Sequence, residues 1–209
     1  MTKYSYKLVT APINTLFILD DIKNYLRLDA GDTSEDNLLL SFQSSAVSFI
    51  EKYTNRTLLT TTFKTYRDVF FNSPGRSYFD RYGYDYWELR KSPLQSISSI
   101  KYFNKSNVLV TVDANIYYNT FEDIYSKILL NDSLKFPSDA SNKLQAIEIE
   151  FVAGYGDDAT SVPDELKNAV LMLISAMYEN RGDCSQASCS QLANCSIKQL
   201  ISQFRVINI

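Results

Sequence analysis

Between residues 147 and 178 the hydrophobic period of this chain changes once and abruptly. In IEIEFVA, Ile147, Ile149 and Phe151 alternate with Glu148 and Glu150, the pattern of a half-buried β-strand. After GYGDDATSVP, residues Leu166, Val170, Leu173, Ile174, Met177 and Tyr178 recur at helical spacing. Pro163 suits the first position of that helix, Asp164 and Glu165 suit its positive end, and Gly182 stands where it can close it, so a helix is expected over 163–181. Strand and helix are joined by a short corner, and any fold for this chain must supply both.

Two further helices are expected upstream. Leu19, Ile22, Tyr25 and Leu26 share a helical face, predicting a helix over about 19–28 that breaks at AGD. Thr33 and Asp36 resemble a capping box, and Leu38, Leu39, Phe42, Ala46, Phe49, Ile50 and Tyr53 form one stripe, predicting a helix over 34–53. Asn55 can take the left-handed conformation that ends it. From about 58 to 153 short β-branched and aromatic runs (TTFKTYR, SISSIKYFN, VLVTVD, IYYN, KILLN and AIEIEFVAG) are separated by polar turns, implying a mostly antiparallel sheet. The fold class is α+β.

The letters YGDD at 155–158 also occur at the metal site of polymerases. That signature needs strands on both sides of the two aspartates and a third aspartate nearby. Downstream of Asp158 this chain turns into a helix, and no Lys/Arg cluster is available to hold phosphates. Gly154 and Gly156 lack the third glycine of a dinucleotide fingerprint and the Lys of a P-loop. Glycine freedom at Gly154 and Gly156, with Pro163 opening the helix, instead suits a strand-to-helix corner. A metal-dependent phosphoryl-transfer enzyme centred on Asp157 and Asp158 is the rival reading.

Composition narrows the function classes. The 209 residues contain no His, which removes the commonest acid/base and neutral metal ligand. Cys184, Cys189 and Cys195 do not have the paired spacing of a zinc site. No catalytic residue, metal or cofactor is expected. A net charge of −3 offers no electrostatic grip on DNA or anionic lipid. No stretch approaches a membrane span or a signal peptide, so the default setting is a reducing cytoplasm.

Two segments invite partners. The stretch 72–91 interleaves Tyr78, Phe79, Tyr82, Tyr84, Tyr86 and Trp87 with Arg81 and acidic residues. Aromatic-plus-Arg composition suits an interface, and the near-cancelled charge favours protein over nucleic acid; a loop folded onto its own sheet remains open. Beyond a Ser-, Gln- and Cys-rich connector, Ile197, Leu200, Ile201 and Phe204 form a short amphipathic end, suited equally to docking elsewhere and to packing on its own domain. A domain over 1–181 followed by a linker and docking segment over 182–209 is the expected organisation.

Taken in order, DDIKNYLRLD, SAVSFIEKYTNRTL, RKSPLQSISSIKYFN, IEFVAGYGDDATSVPDELKNAVLMLISAMYENR and LISQFRV resemble the head-tail connector proteins of tailed bacteriophages. Asn55 stands where such proteins carry Gly in a Tyr-Thr-Gly-Arg-like step, and Tyr178 to Arg181 match their Tyr-Glu-Asn-Arg-like helix end. The resemblance implies a small antiparallel helical core with an inserted β region, in a ring commonly of twelve copies. It further implies a place in the virion neck after assembly in the host cytoplasm, between the portal and a stopper or tail protein. DNA would pass through the channel without specific binding, and no membrane would be involved. Portal docking is implied for Ile197, Leu200, Ile201, Phe204, Arg205 and Val206. The insertion at 72–91 is longer than that pattern, leaving a neighbouring subunit, capsid or tail protein as its partner, or a role as a tail or surface binding module.

Overall fold

The computed structural model describes residues 6–68, 70, 86–120, 126–131, 135–181 and 196–206. The chain forms two compact units, Met1–Ala11 with Thr60–Gly154, and Pro12–Leu59 with Tyr155–Ile209. The two units thus alternate along the chain, each built from two segments, and the C-terminal segment belongs to the helical unit.

The β unit contains β1 (Tyr6–Thr10), β2 (Thr61–Arg67), β3 (Trp87–Leu89), β4 (Leu94–Phe103), β5 (Leu109–Thr111), β6 (Tyr117–Asn119), β7 (Ser126–Leu130) and β8 (Ile147–Ala153). They pair antiparallel into a sheet of order β1-β2-β8-β4-β5 and another of order β3-β7-β6. β8 is central, pairing with β2 on one edge and β4 on the other, and it alternates cleanly: Ile147, Ile149, Phe151 and Ala153 are buried while Glu148 and Glu150 face Lys64 of β2 at 3.2 and 3.5 Å. The inward face of β2, ambiguous in the sequence, is Thr61, Phe63 and Thr65, with Phe63 directly opposite Phe151. Both sheets contribute to one core, Ile100, Tyr102 and Phe151 from the first, Trp87, Leu89 and Ile128 from the second. β1 and β3 escaped the sequence reading, β1 because as an edge strand only Tyr6 is even half-buried, β3 because it lies inside the aromatic stretch.

The helical unit contains α1 (Leu19–Leu26), α2 (Asp36–Thr54), α3 (Asp164–Glu179) and α4 (residues 196–201). Its core joins Ile22, Leu39, Ala46, Ile50, Leu166, Val170, Ile174, Ile197 and Ile201. Several expected boundaries shift for identifiable reasons. α1 ends at Leu26 because Arg27 adopts a left-handed conformation (φ 58°) and Leu28 N–H returns to the Lys23 carbonyl at 2.9 Å. Tyr25, expected inward, is exposed. The Thr33–Asp36 capping box does not form: Glu35 is the N-cap, with no side-chain cap. The Asp36 carboxylate instead meets buried Lys23 at 2.7 Å, whose ammonium also donates to the carbonyls of Ala30 and Asp32. A buried lysine is tolerated only when so satisfied. At the other end of α2 Asn55 is left-handed (φ 57°), as its position suggested. α3 begins just after Pro163, and Asn180 closes it by donating from both its backbone and side-chain nitrogens to Ala176. Gly182 lies outside the described residues.

Candidate functional site

Four consecutive residues at the end of α2, Tyr53 to Arg56, hold the C-terminal segment. Thr54 is forced to present its carbonyl outward where the helix stops, and Val206 N–H donates to it at 2.9 Å. The left-handed turn at Asn55 then aims its side-chain amide at the Val206 carbonyl, 3.0 Å away. Arg56, buried, donates from Nε to the Phe204 carbonyl at 2.7 Å and from Nη1 to the Tyr155 hydroxyl at 3.1 Å. Its guanidinium lies 6.0 Å from the Tyr155 ring centroid and 5.9 Å from that of Phe204, while Arg205 sits 5.2 Å from the Tyr53 ring. We call this arrangement the clasp.

The clasp accompanies one of the two uses that the pattern of the C-terminal segment left open, packing on its own domain. Ile197, Ile201 and Val206 are fully buried, and Leu200 and Phe204 pack against the same core. Within the chain these side chains belong to the core of the helical unit. Periodicity could not decide this, because an amphipathic end has the same pattern whether its apolar side meets its own domain or another protein. What the segment leaves exposed is Ser196, Lys198, Gln199, Ser202, Gln203 and Arg205.

The YGDD corner feeds the clasp from the other side. Gly154 has φ 136°, a conformation glycine alone adopts easily, and donates to the Pro93 carbonyl. Tyr155 N–H donates to the Leu58 carbonyl at 3.1 Å, which positions its hydroxyl for Arg56. Gly156 pairs with Leu59 and leaves no room for a side chain: a Cβ there would lie 2.4 Å from Ser161 Oγ. The Asn14 amide donates both to the Asp157 carbonyl and to Asp158 Oδ1. Asp158 precedes a single 3-10 turn (Ala159–Ser161), and Pro163 then precedes α3. The two aspartates thus serve a turn. Among the described residues no group of three or more His, Cys, Asp or Glu is placed to hold a metal ion.

The Tyr-Glu-Asn-Arg helix end has a local function too. Tyr178 donates its hydroxyl to Glu35 Oε2 at 2.6 Å, Arg181 pairs with Glu35 Oε1, and the Arg181 guanidinium lies 4.1 Å from the Tyr178 ring. The Tyr178 hydroxyl, then Arg181, hold the Glu35 carboxyl below its usual range, and the same hydrogen bond pushes the Tyr178 phenol up. The carboxylate at the start of α2 therefore ties down the end of α3.

Of the aromatic insertion, Tyr78, Phe79, Arg81, Tyr82 and Tyr84 lie outside the described residues. Tyr86 is half-buried beneath the Lys127 ammonium, 5.0 Å from its ring centroid. Trp87 is 5% exposed and stacks on Phe70 and Phe136 at 5.6 and 5.4 Å, within the core of the β unit. No helix of the described residues is long and apolar enough to cross a membrane.

Comparison with known proteins adds two findings. Residues 129–205, from within β7 through α3 to the clasp, match the family described as phage gp6-like head-tail connector protein. Among solved structures, the chain is similar to one from the neck of an empty gene transfer agent particle, with 22% identity, a TM-score of 0.77, and 98% and 97% of the two chains covered. It is similar also to chains from the virion of a native gene transfer agent particle (22%, TM-score 0.75, 98% and 96% covered) and from the neck of a native one computed with C12 symmetry (21%, TM-score 0.73, 98% and 97% covered). No curated protein matches. The fold is therefore that of these chains over nearly its whole length, and the resemblance to phage head-tail connector proteins read from the sequence is borne out.

Proposed function

We propose that this protein is a structural head-tail connector of a tailed-phage virion or phage-like particle, forming a ring in the neck between portal and stopper or tail and continuing the DNA channel. The single observation that carries the reading is the connector-family match over residues 129–205 within a fold shared along 98% of the chain with a neck structure. A ring is supported by the similar necks computed with C6 and with C12 symmetry, and we take the twelve copies of the latter as its size. The role is one of shape and interfaces, not of catalysis, in keeping with the turn-forming use of Asp157 and Asp158.

The C-terminal segment remains our candidate for the portal contact, now restated. With Ile197, Ile201 and Val206 occupied in the core, contact falls to its outer face, Lys198, Gln199 and Arg205. The stretch at 72–91 is proposed to meet a neighbouring subunit, capsid or tail protein through residues other than Trp87. A net charge of −3 suits a wall past which DNA slides without being held. Imaging of assembled particles tests the proposal: density fitting this fold is expected in the neck next to the portal, and its absence there would refute it.

A further inference from the structure

The clasp recognises an eleven-residue segment, 196–206, largely through main-chain groups: the Phe204 and Val206 carbonyls and the Val206 N–H. Such contacts are indifferent to which copy of the chain supplies the segment. Chain length decides whether another copy can. Arg181 is fixed beside Glu35 at the beginning of α2, and Val206 is fixed at its end. The 19 residues of α2 rise about 28 Å. Because Ile197 is buried in the same core, the segment begins within the length of those helices. The connector at 182–195 then has to cover no more than about that distance. Fourteen residues can extend about 46 Å at roughly 3.3 Å each. The connector is thus well over half as long again as its own clasp requires.

Resting on the ring reading above, we infer that segment 196–206 is an exchangeable element: in the assembled ring each copy seats it in the clasp of a neighbouring copy of the same chain. A head-to-tail ring needs two different surfaces that fit each other, and the clasp and its segment are such a pair already present within one chain. Exchange replaces every contact with an identical one, so closed monomer and linked ring differ little in contact energy. Assembly concentration then sets the balance. The buried Ile197, Ile201 and Val206 become ring-holding side chains without ever being exposed in the final assembly.

The test uses full-length chains in which Cys184, Cys189 and Cys195 are replaced by Ser, one carrying Tyr53→Cys and the other, differently tagged, Arg205→Cys. The two positions adjoin across the clasp, with the Arg205 guanidinium 5.2 Å from the Tyr53 ring. They are co-expressed with the portal protein, their oligomeric state is measured by native mass, and a short bifunctional maleimide is added. Neither chain can link to itself across the clasp. Exchange predicts a doubly tagged covalent dimer several-fold more abundant than either singly tagged one, reduced when Arg56→Ala is added to the Tyr53→Cys chain. Oligomers without that excess would overturn exchange and leave the ring reading standing. The parent chain, with Tyr53 and Arg205 in place, is measured alongside, and if it stays monomeric with and without portal both readings are overturned.

Discussion

The side-chain amide of Asn55 donates to the main-chain carbonyl of Val206, 151 residues further along the chain, at 3.0 Å. With the Val206 N–H bonded to Thr54, it makes the last described residues part of the fold. Truncation after Ser196 should therefore destabilise the helical unit. Ile197, Ile201 and Val206 each contribute roughly 1.5–3 kcal/mol by burial, together comparable with the ~5–15 kcal/mol stability of a whole domain. Thermal unfolding followed by circular dichroism should show a large loss; an unchanged midpoint would mean the segment does not support the core.

Arg56 joins the C-terminal segment to the YGDD corner, through the Phe204 carbonyl and the Tyr155 hydroxyl. Arg56→Ala should cost about 1.5–3 kcal/mol, the range for hydrogen bonds from a charged donor. Tyr155→Phe, which removes only one acceptor, should cost less. Amide exchange would report the difference, with protection at Val206 falling in the Arg56 variant and persisting in the Tyr155 variant.

Gly156 and its neighbouring aspartates should behave oppositely. Gly156→Ala places a methyl against Ser161 and is expected to cost about 1–3 kcal/mol. Because both the hydroxyl and Cβ of Ser161 obstruct it, adding Ser161→Gly should recover part of that loss. Asp158→Asn keeps the acceptor for Asn14 and should fall within about 0.5 kcal/mol of the parent, as should Asp157→Asn, whose contact is through its carbonyl. Urea unfolding of the four variants distinguishes a turn from a catalytic pair, since the enzyme reading would instead place metal binding on the aspartates.

The Glu35 carboxyl gives the fold a pH dependence of known sign. Its folded pKa is lowered, first by the Tyr178 hydroxyl and then by Arg181, so its contribution is full above the unfolded value, roughly 4.3, and is lost as pH falls through the folded value. Glu35→Gln should be less stable than the parent near neutrality and converge on it in acid. Denaturant midpoints between neutral pH and about pH 3 measure this; parallel curves would show that the pair contributes nothing.

How far the sequence revealed this molecule depends on the range over which each contact acts. The stripe from Leu39 to Ile50, the alternation from Ile147 to Phe151 and the left-handed stop at Asn55 follow from neighbours a few residues away, and each stands where its pattern indicated. The burial of Lys23 did not show, because a lysine on a helix reads as solvated until the Ala30 and Asp32 carbonyls are seen to surround it. The stacking of Trp87 did not show, because its partners, Phe70 and Phe136, are distant in sequence. The clasp was half visible: Tyr53 to Arg56 and LISQFRV were each noticed, yet no periodicity says that one holds the other.

We propose that this chain is a neck connector that assembles as a ring on a portal. Native mass measurement of the purified protein, alone and mixed with its portal protein, tests it most directly. The account predicts a portal-bound species carrying a ring of copies, twelve if the symmetry of the similar neck holds here, whether or not the protein alone is monomeric. A protein that remains a monomer under both conditions, with no mass added to the portal, would contradict it.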